Sequence, residues 1–141
     1  MTHSRQAPIV TYAAAARLVA EAVRHAEAKG WTVAVVVLDP SGHIVAAARM
    51  DGVAPMILDY AADKAFTACL GKPTTAFFER MSSSPALAMG AANRPRLCAW
   101  DGGLPIREKG ALIGAIGVSG AAGSEDVECA EAALAALGLT S

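Results

Sequence analysis

The chain has 141 residues, 54% of them hydrophobic and 18% charged. That is enough apolar material for one compact core and too much for a disordered segment. Twelve Lys and Arg stand against 13 Asp and Glu, a formal charge of −1, so there is no concentrated cationic field for sequence-independent nucleic-acid binding or a polybasic membrane contact.

Residues 1–10 read as a mobile tail with no apolar run of signal-peptide type, which makes the cytoplasm the expected location. Thr11 is placed to cap a helix over Tyr12 to Lys29: Leu18, Val19, Ala22, Val23 and Ala26 recur at helical spacing, and Gly30 supplies the stop. Trp31 to Asp39 is β-branched and apolar on both faces, which predicts an interior strand. Asp39-Pro40-Ser41-Gly42 carries a type I turn signature and leads into a second strand, His43 to Arg49. A helix from Pro55 to Leu70 follows, ended by Gly71-Lys72-Pro73, and then a shorter one from Thr74 to Met81. Ser82 to Pro95 shows no clean period and reads as loop. Three strands follow as an antiparallel meander: Arg96 to Trp100, Leu104 to Arg107 and Ala111 to Ser119. Ser124 is expected to cap a last helix, with Glu125 and Asp126 in its first turn and Gly138 after its end. The longest apolar stretches, Val33 to Leu38 and Ala111 to Val118, fall far short of the roughly 20 residues that a membrane-spanning helix needs. Thirty-three residues are alanine; they bury little area but let elements approach closely, which predicts a thin core and a homo-oligomer.

The two strands that are apolar on both faces belong side by side inside the sheet. With the first hairpin on one side and the meander on the other, the spatial order becomes 2-1-5-4-3. The expected fold is a single-domain α/β (α+β) sandwich over residues 1–141, a five-stranded antiparallel sheet flanked by helices. That order brings Ser119-Gly120, Arg49-Met50-Asp51, the turn Asp101-Gly102-Gly103 and the N-termini of the second and last helices to one edge. Glycine turns and helix ends offer unpaired N–H groups to an anion, and an arginine grips a carboxylate bidentately. The candidate ligand-binding residues are therefore His43, Arg49, Lys64, Gly103, Ser119 and Gly120. An enzyme built there would be a cofactor-free isomerase, hydratase or lyase acting on a small carboxylate. Arg49 would hold the substrate while Asp51, Lys64 or Asp126 moves a proton. The plainer reading pairs Arg49 with Asp51 or Asp126 and lets Lys64 snorkel to a nearby carboxylate. Gly114-x-x-Gly117-x-x-Gly120 lies inside a strand, is neither a Rossmann fingerprint nor a P-loop, and is expected to admit close packing. There is no G-x-S-x-G elbow, no C-x-x-C pair among Cys69, Cys98 and Cys129, and no metal-ligand spacing among the histidines. Neither a nucleophile, a disulfide framework nor a metal site is predicted. A single histidine still suffices as an axial haem ligand, and His25 and His43 are the candidates.

Six motifs carry a family resemblance: Leu38-Asp39-x-x-Gly42-His43, Arg49-Met50-Asp51-Gly52, Ala62-x-Lys64-Ala65-x-Thr67-Ala68, Lys72-Pro73-Thr74, Gly102-Gly103-x-Pro105-Ile106 and Gly114-Ala115-Ile116-Gly117-Val118-Ser119-Gly120. In this order, over about Thr11 to Leu137, they resemble the GlcG/HbpS family. The resemblance implies a profilin-like or PAS-like sandwich, homo-oligomers, and a small-molecule ligand that is haem or another tetrapyrrole. Members include secreted haem-binding sensors, a haem-binding domain fused to a corrinoid adenosyltransferase (the PduO C-terminal domain), and stand-alone proteins encoded beside catabolic genes, the type this chain resembles. Ser41 and Ala121 stand where the family often has glycine, and Asp126-Val127 where it has an Asp-Glu pair. The last change weakens the case for a metal-binding carboxylate cluster at that spot.

Overall fold

The apolar run that ends in Leu38 is the axis around which the chain is built, as a computed structural model describing residues 1–141 shows. β1 (Ala34–Leu38) pairs antiparallel with β2 (Ile44–Arg49) on one side and with β4 (Ala111–Ser119) on the other, and β4 pairs with β3 (Gly103–Glu108). The order is β2-β1-β4-β3. Every residue of β1 is buried because helices cover both faces of the strand. Side chains alternate across it. Val35, Val37, Ile116 and Val118 join Leu18 and Ala22 of α1 (Tyr12–Lys29) and Cys129 and Ala133 of α5 (Gly123–Ala136) in one core. On the other face Ala34, Val36, Leu38 and Ala115 pack on Ala61, Ala65 and Ala68 of α2 (Pro55–Ala68). The outcome is an α+β sandwich of three layers, and no helix is long and apolar enough to cross a membrane.

The glycine in the middle of β4 shows how closely α2 lies on the sheet. A Cβ at Gly117 would stand 1.9 Å from the Ala61 carbonyl oxygen and 2.7 Å from the Ala65 nitrogen. Alanines on the helix and glycine on the strand thus remove the volume that would hold the two layers apart.

Four expectations need correction. The sheet has four strands, not five, because Arg96 to Trp100 does not join it. The Cys98 N–H donates to Thr67 Oγ1 at 2.8 Å, the Leu97 N–H donates to the Arg94 carbonyl, and the Arg96 guanidinium lies 3.8 Å over the Phe66 ring. Backbone groups that would ladder beside β3 are committed to α2 and to a local turn; with that strand removed, the remaining order stands. The segment read as loop from Ser82 to Pro95 holds a helix, α4 (Pro85–Ala92), which follows α3 (Thr74–Met81) and is capped by Ser84 Oγ accepting the Leu87 N–H. α4 reads Pro-Ala-Leu-Ala-Met-Gly-Ala-Ala, with no polar face against which an apolar stripe could stand out, and none of its residues is fully buried. Ser124 does not cap α5: the N-cap is Ala122, whose N–H donates to Glu125 Oε1. Val10, the last residue of the expected tail, is buried, and its N–H donates to the Ile113 carbonyl.

A methyl group added at Gly90 in α4 would meet nothing within 4 Å. Gly90→Ala is therefore expected to raise the unfolding free energy by about 0.5–1 kcal/mol in urea denaturation, and a loss of stability would contradict this placement.

Candidate functional site

The strand ends do converge. Ala34 pairs with both Arg49 and Ser119, and Gly103 pairs with Gly117. Beside this end of the sheet lies a cleft of about 640 Å³ formed by α2, α3, the segment 99–101, the end of β4 and the start of α5. Its floor is a buried ion pair. Lys64 of α2 is 3% exposed and Asp126 of α5 is 2% exposed. The Lys64 ammonium donates to Asp126 Oδ2 at 3.0 Å and to the Val118 carbonyl at 2.9 Å, while Asp126 Oδ1 accepts the Ala121 N–H at 3.0 Å. Burial pushes the Asp126 carboxyl above the ordinary carboxylate range, against the pull of the Lys64 charge and of the hydrogen bonds from Lys64 and Ala121.

α2 and α5 cover opposite faces of the sheet, so Lys64 reaches Asp126 only by passing around the sheet's end. Gly102 leaves the room: its φ is +125°, and a Cβ there would lie 2.3 Å from the Val118 carbonyl oxygen and 3.1 Å from Lys64 Nζ. The walls are aromatic. Tyr60 and Trp100 meet edge to face with ring centroids 5.3 Å apart, and Phe78 of α3 and Ile57 complete the apolar lining. Ser119 and Gly120 line the same cleft.

The candidate residues divide into separate places. Lys64, Asp126, Ser119 and Gly120 come together. Arg49 and Asp51 lie instead in a separate depression beside Val23 and Glu27 of α1, and an Arg49 guanidinium N–H donates to the Val53 carbonyl. A single pocket holding Arg49 with Lys64 and Asp126 is not assembled within the chain, and Arg49 forms no ion pair with Asp51 or Asp126. Gly103 backs onto α2, where a Cβ would lie 2.4 Å from the Lys64 carbonyl oxygen. His43 stands at the opposite end of β2 with its side chain 80% exposed, 3.6 Å from Asp39. His25 donates through Nε2 to Glu128 at 2.7 Å, tying α1 to α5 and holding the Glu128 carboxyl below its ordinary range. Neither histidine lines the cleft, and no three His, Cys, Asp or Glu side chains are grouped to hold a metal ion.

Sequence reasoning brought the turn at Asp101 to this edge and missed Tyr60, Phe78 and Trp100. One signal was present: Ile57, Tyr60 and Lys64 fall at i, i+3 and i+7, a single stripe of α2. Trp100 gave none, because it meets Tyr60 only once the segment before it has left the sheet.

The cysteines stay out of this chemistry. Burial pushes the Cys69 and Cys129 thiols up to about 11, which cuts their thiolate fraction roughly a hundredfold below that of an ordinary thiol at neutral pH. Cys129, which is fully buried, is expected to react with a disulfide reagent only on unfolding in urea; immediate modification of the native chain there would contradict its placement.

The chain as a whole is similar to known proteins. Residues 10–135 match the family described as "Haem degrading protein HbpS-like". "Protein GlcG" of Escherichia coli (strain K12) is 36% identical over 110 residues, 78% of this chain and 81% of that protein. Among solved structures, Klebsiella pneumoniae protein ORFY has 28% sequence identity and a TM-score of 0.90 over 98% of this chain and 97% of its own. A double mutant of Streptomyces reticuli HbpS has 34% identity and a TM-score of 0.87, covering 97% and 92%. Since the match runs from the buried Val10 to the last turn of α5, and so through every element that frames the cleft, the chain belongs to the HbpS-like family.

Proposed function

We propose that the chain is a small-molecule-binding protein whose ligand is haem or another tetrapyrrole, and that it works as a cytoplasmic homo-oligomer beside a catabolic pathway. The observation that carries this is the cleft: an aromatic slot over a buried polar floor, in a chain whose family is described by haem. A planar macrocycle needs an apolar surface to lie against, which Ile57, Tyr60, Phe78 and Trp100 supply on one side of the cleft. Phe78 and Trp100 are more than half exposed, a free apolar surface of the kind that marks a binding site. Haem, when bound, brings an iron centre; within the cleft the side chain with iron-ligating chemistry is the Tyr60 phenol, not a histidine. Assembly is supported by α4, which buries none of its residues within the chain. A reducing compartment suits the three free cysteines.

Haem titration tests the reading. A Soret shift at micromolar concentration is expected, with Trp100→Ala weakening it at least tenfold and His25→Ala and His43→Ala binding like the parent. No shift in the parent would overturn the haem assignment, and loss of the shift in His43→Ala alone would move the site away from the cleft.

A further inference from the structure

The donor atoms that line the cleft are almost all oxygens. No histidine, cysteine or methionine side chain is among the lining residues. Lys64, the one aliphatic nitrogen, is an ammonium held by Asp126 and by the Val118 carbonyl, so it has no lone pair to give a metal. Asp126 is taken up by Lys64 and by the Ala121 N–H, and Asp101 Oδ1 accepts the Thr75 hydroxyl at 2.8 Å. Tyr60 differs from these. Its hydroxyl enters none of the chain's hydrogen bonds, and its ring meets Trp100 edge to face at 5.3 Å. An unengaged phenol on the aromatic wall is therefore the group of this cleft best suited to bind iron.

An oxygen donor of this kind distinguishes the two oxidation states of iron. Within a porphyrin dianion Fe(III) keeps a net positive charge and Fe(II) keeps none, so an anionic phenolate gains Coulomb energy with the first and little with the second. Fe(II) is served better by neutral nitrogen or sulfur donors such as imidazole and thioether, which the cleft lacks. We infer that Tyr60 is the ligand to the iron, and that the chain therefore holds ferric haem and releases it on reduction. Tyr60 gives up its hydroxyl proton as it forms one Fe–O bond. When an external one-electron reductant converts Fe(III) to Fe(II), that bond breaks and the phenolate takes back a proton from solvent. The inference rests on the cleft being the haem site and adds what controls its occupancy.

Ferric haem and metal-free protoporphyrin, titrated into the parent, Tyr60→Phe and Asp101→Asn, separate the possibilities, with the Trp100 indole signal of the ¹⁵N-labelled chain reporting where protoporphyrin lies. The parent is expected to bind ferric haem at least about tenfold more tightly than protoporphyrin, and to lose at least about tenfold in affinity when dithionite reduces the iron. Tyr60→Phe is expected to bring ferric haem down to the level of protoporphyrin, to leave protoporphyrin binding unchanged, and to abolish the phenolate vibrations in the resonance Raman spectrum. Asp101→Asn is expected to behave like the parent. Equal ferric affinity in the parent and Tyr60→Phe, with protoporphyrin still shifting the Trp100 signal, overturns the ligand assignment and leaves the cleft as the haem site. So does a loss seen in Asp101→Asn instead. Ferrous haem bound as tightly as ferric haem overturns the selectivity. If protoporphyrin leaves the Trp100 signal unmoved, the haem reading of the cleft fails, and this inference with it. The comparison of ferric, ferrous and metal-free porphyrin on the parent decides the selectivity even if Tyr60→Phe does not fold.

Discussion

Replacing Asp126 with alanine is expected to lower the unfolding free energy by about 3–5 kcal/mol. Lys64 is 3% exposed and would keep only the Val118 carbonyl as an acceptor, so its charge would be buried without compensation. The loss comes from the orphaned partner and does not measure the worth of the pair, because taking both charges out of water is itself costly. Lys64→Met combined with Asp126→Leu is accordingly expected to recover most of the stability in urea denaturation. A loss under about 1 kcal/mol in Asp126→Ala would mean that Lys64 reaches water, and the floor of the cleft would have to be redrawn.

Gly117→Ala is expected to cost at least about 3 kcal/mol, or to leave the chain insoluble. The added methyl would stand 1.9 Å from the Ala61 carbonyl oxygen, and that neighbour is helix backbone, which cannot swing aside as a flexible side chain can. Relief requires lifting α2 from the sheet, which opens the core made by Ala34, Val36, Ala61 and Ala65. Lys64 rides on the same helix, so the cleft is distorted as well. Thermal unfolding followed by circular dichroism checks the result. A variant within about 1 kcal/mol of the parent would show that α2 is not seated on β4 as described.

Much of the fold could be read from apolar patterning. Trp31 to Asp39 and Ala111 to Ser119 are apolar on both faces, and that alone places β1 and β4 side by side at the centre of the sheet. The pattern fails where burial is one-sided or absent. Leu97, Cys98 and Ala99 look like a strand because they pack on the helices, but Thr67 takes the backbone donor that a ladder would use. α4 is apolar or small at every position and therefore has no period to read.

The candidate site was legible by residue and not by grouping. Lys64, Asp126, Ser119 and Gly120 stand out as polar or glycine positions at one sheet edge. That Lys64 and Asp126 meet depends on a path past Gly102 around the end of the sheet, which is set by register and not by spacing. Arg49 lies at the expected edge, yet on an outer strand its side chain turns to Val53 and the depression beside α1. Strand order shows which residues share an end of the sheet; it does not show which way side chains diverge from it.

The central claim is that the ligand lies in the cleft that Tyr60 and Trp100 line together. Titrating the ¹⁵N-labelled chain with zinc protoporphyrin, a diamagnetic stand-in for haem, locates the contact directly. The expected result is that shifts concentrate at the Trp100 indole and at the amides of Ile57, Tyr60, Ser119 and Gly120. Shifts gathered around His25 or His43, with the cleft signals unmoved, would contradict it.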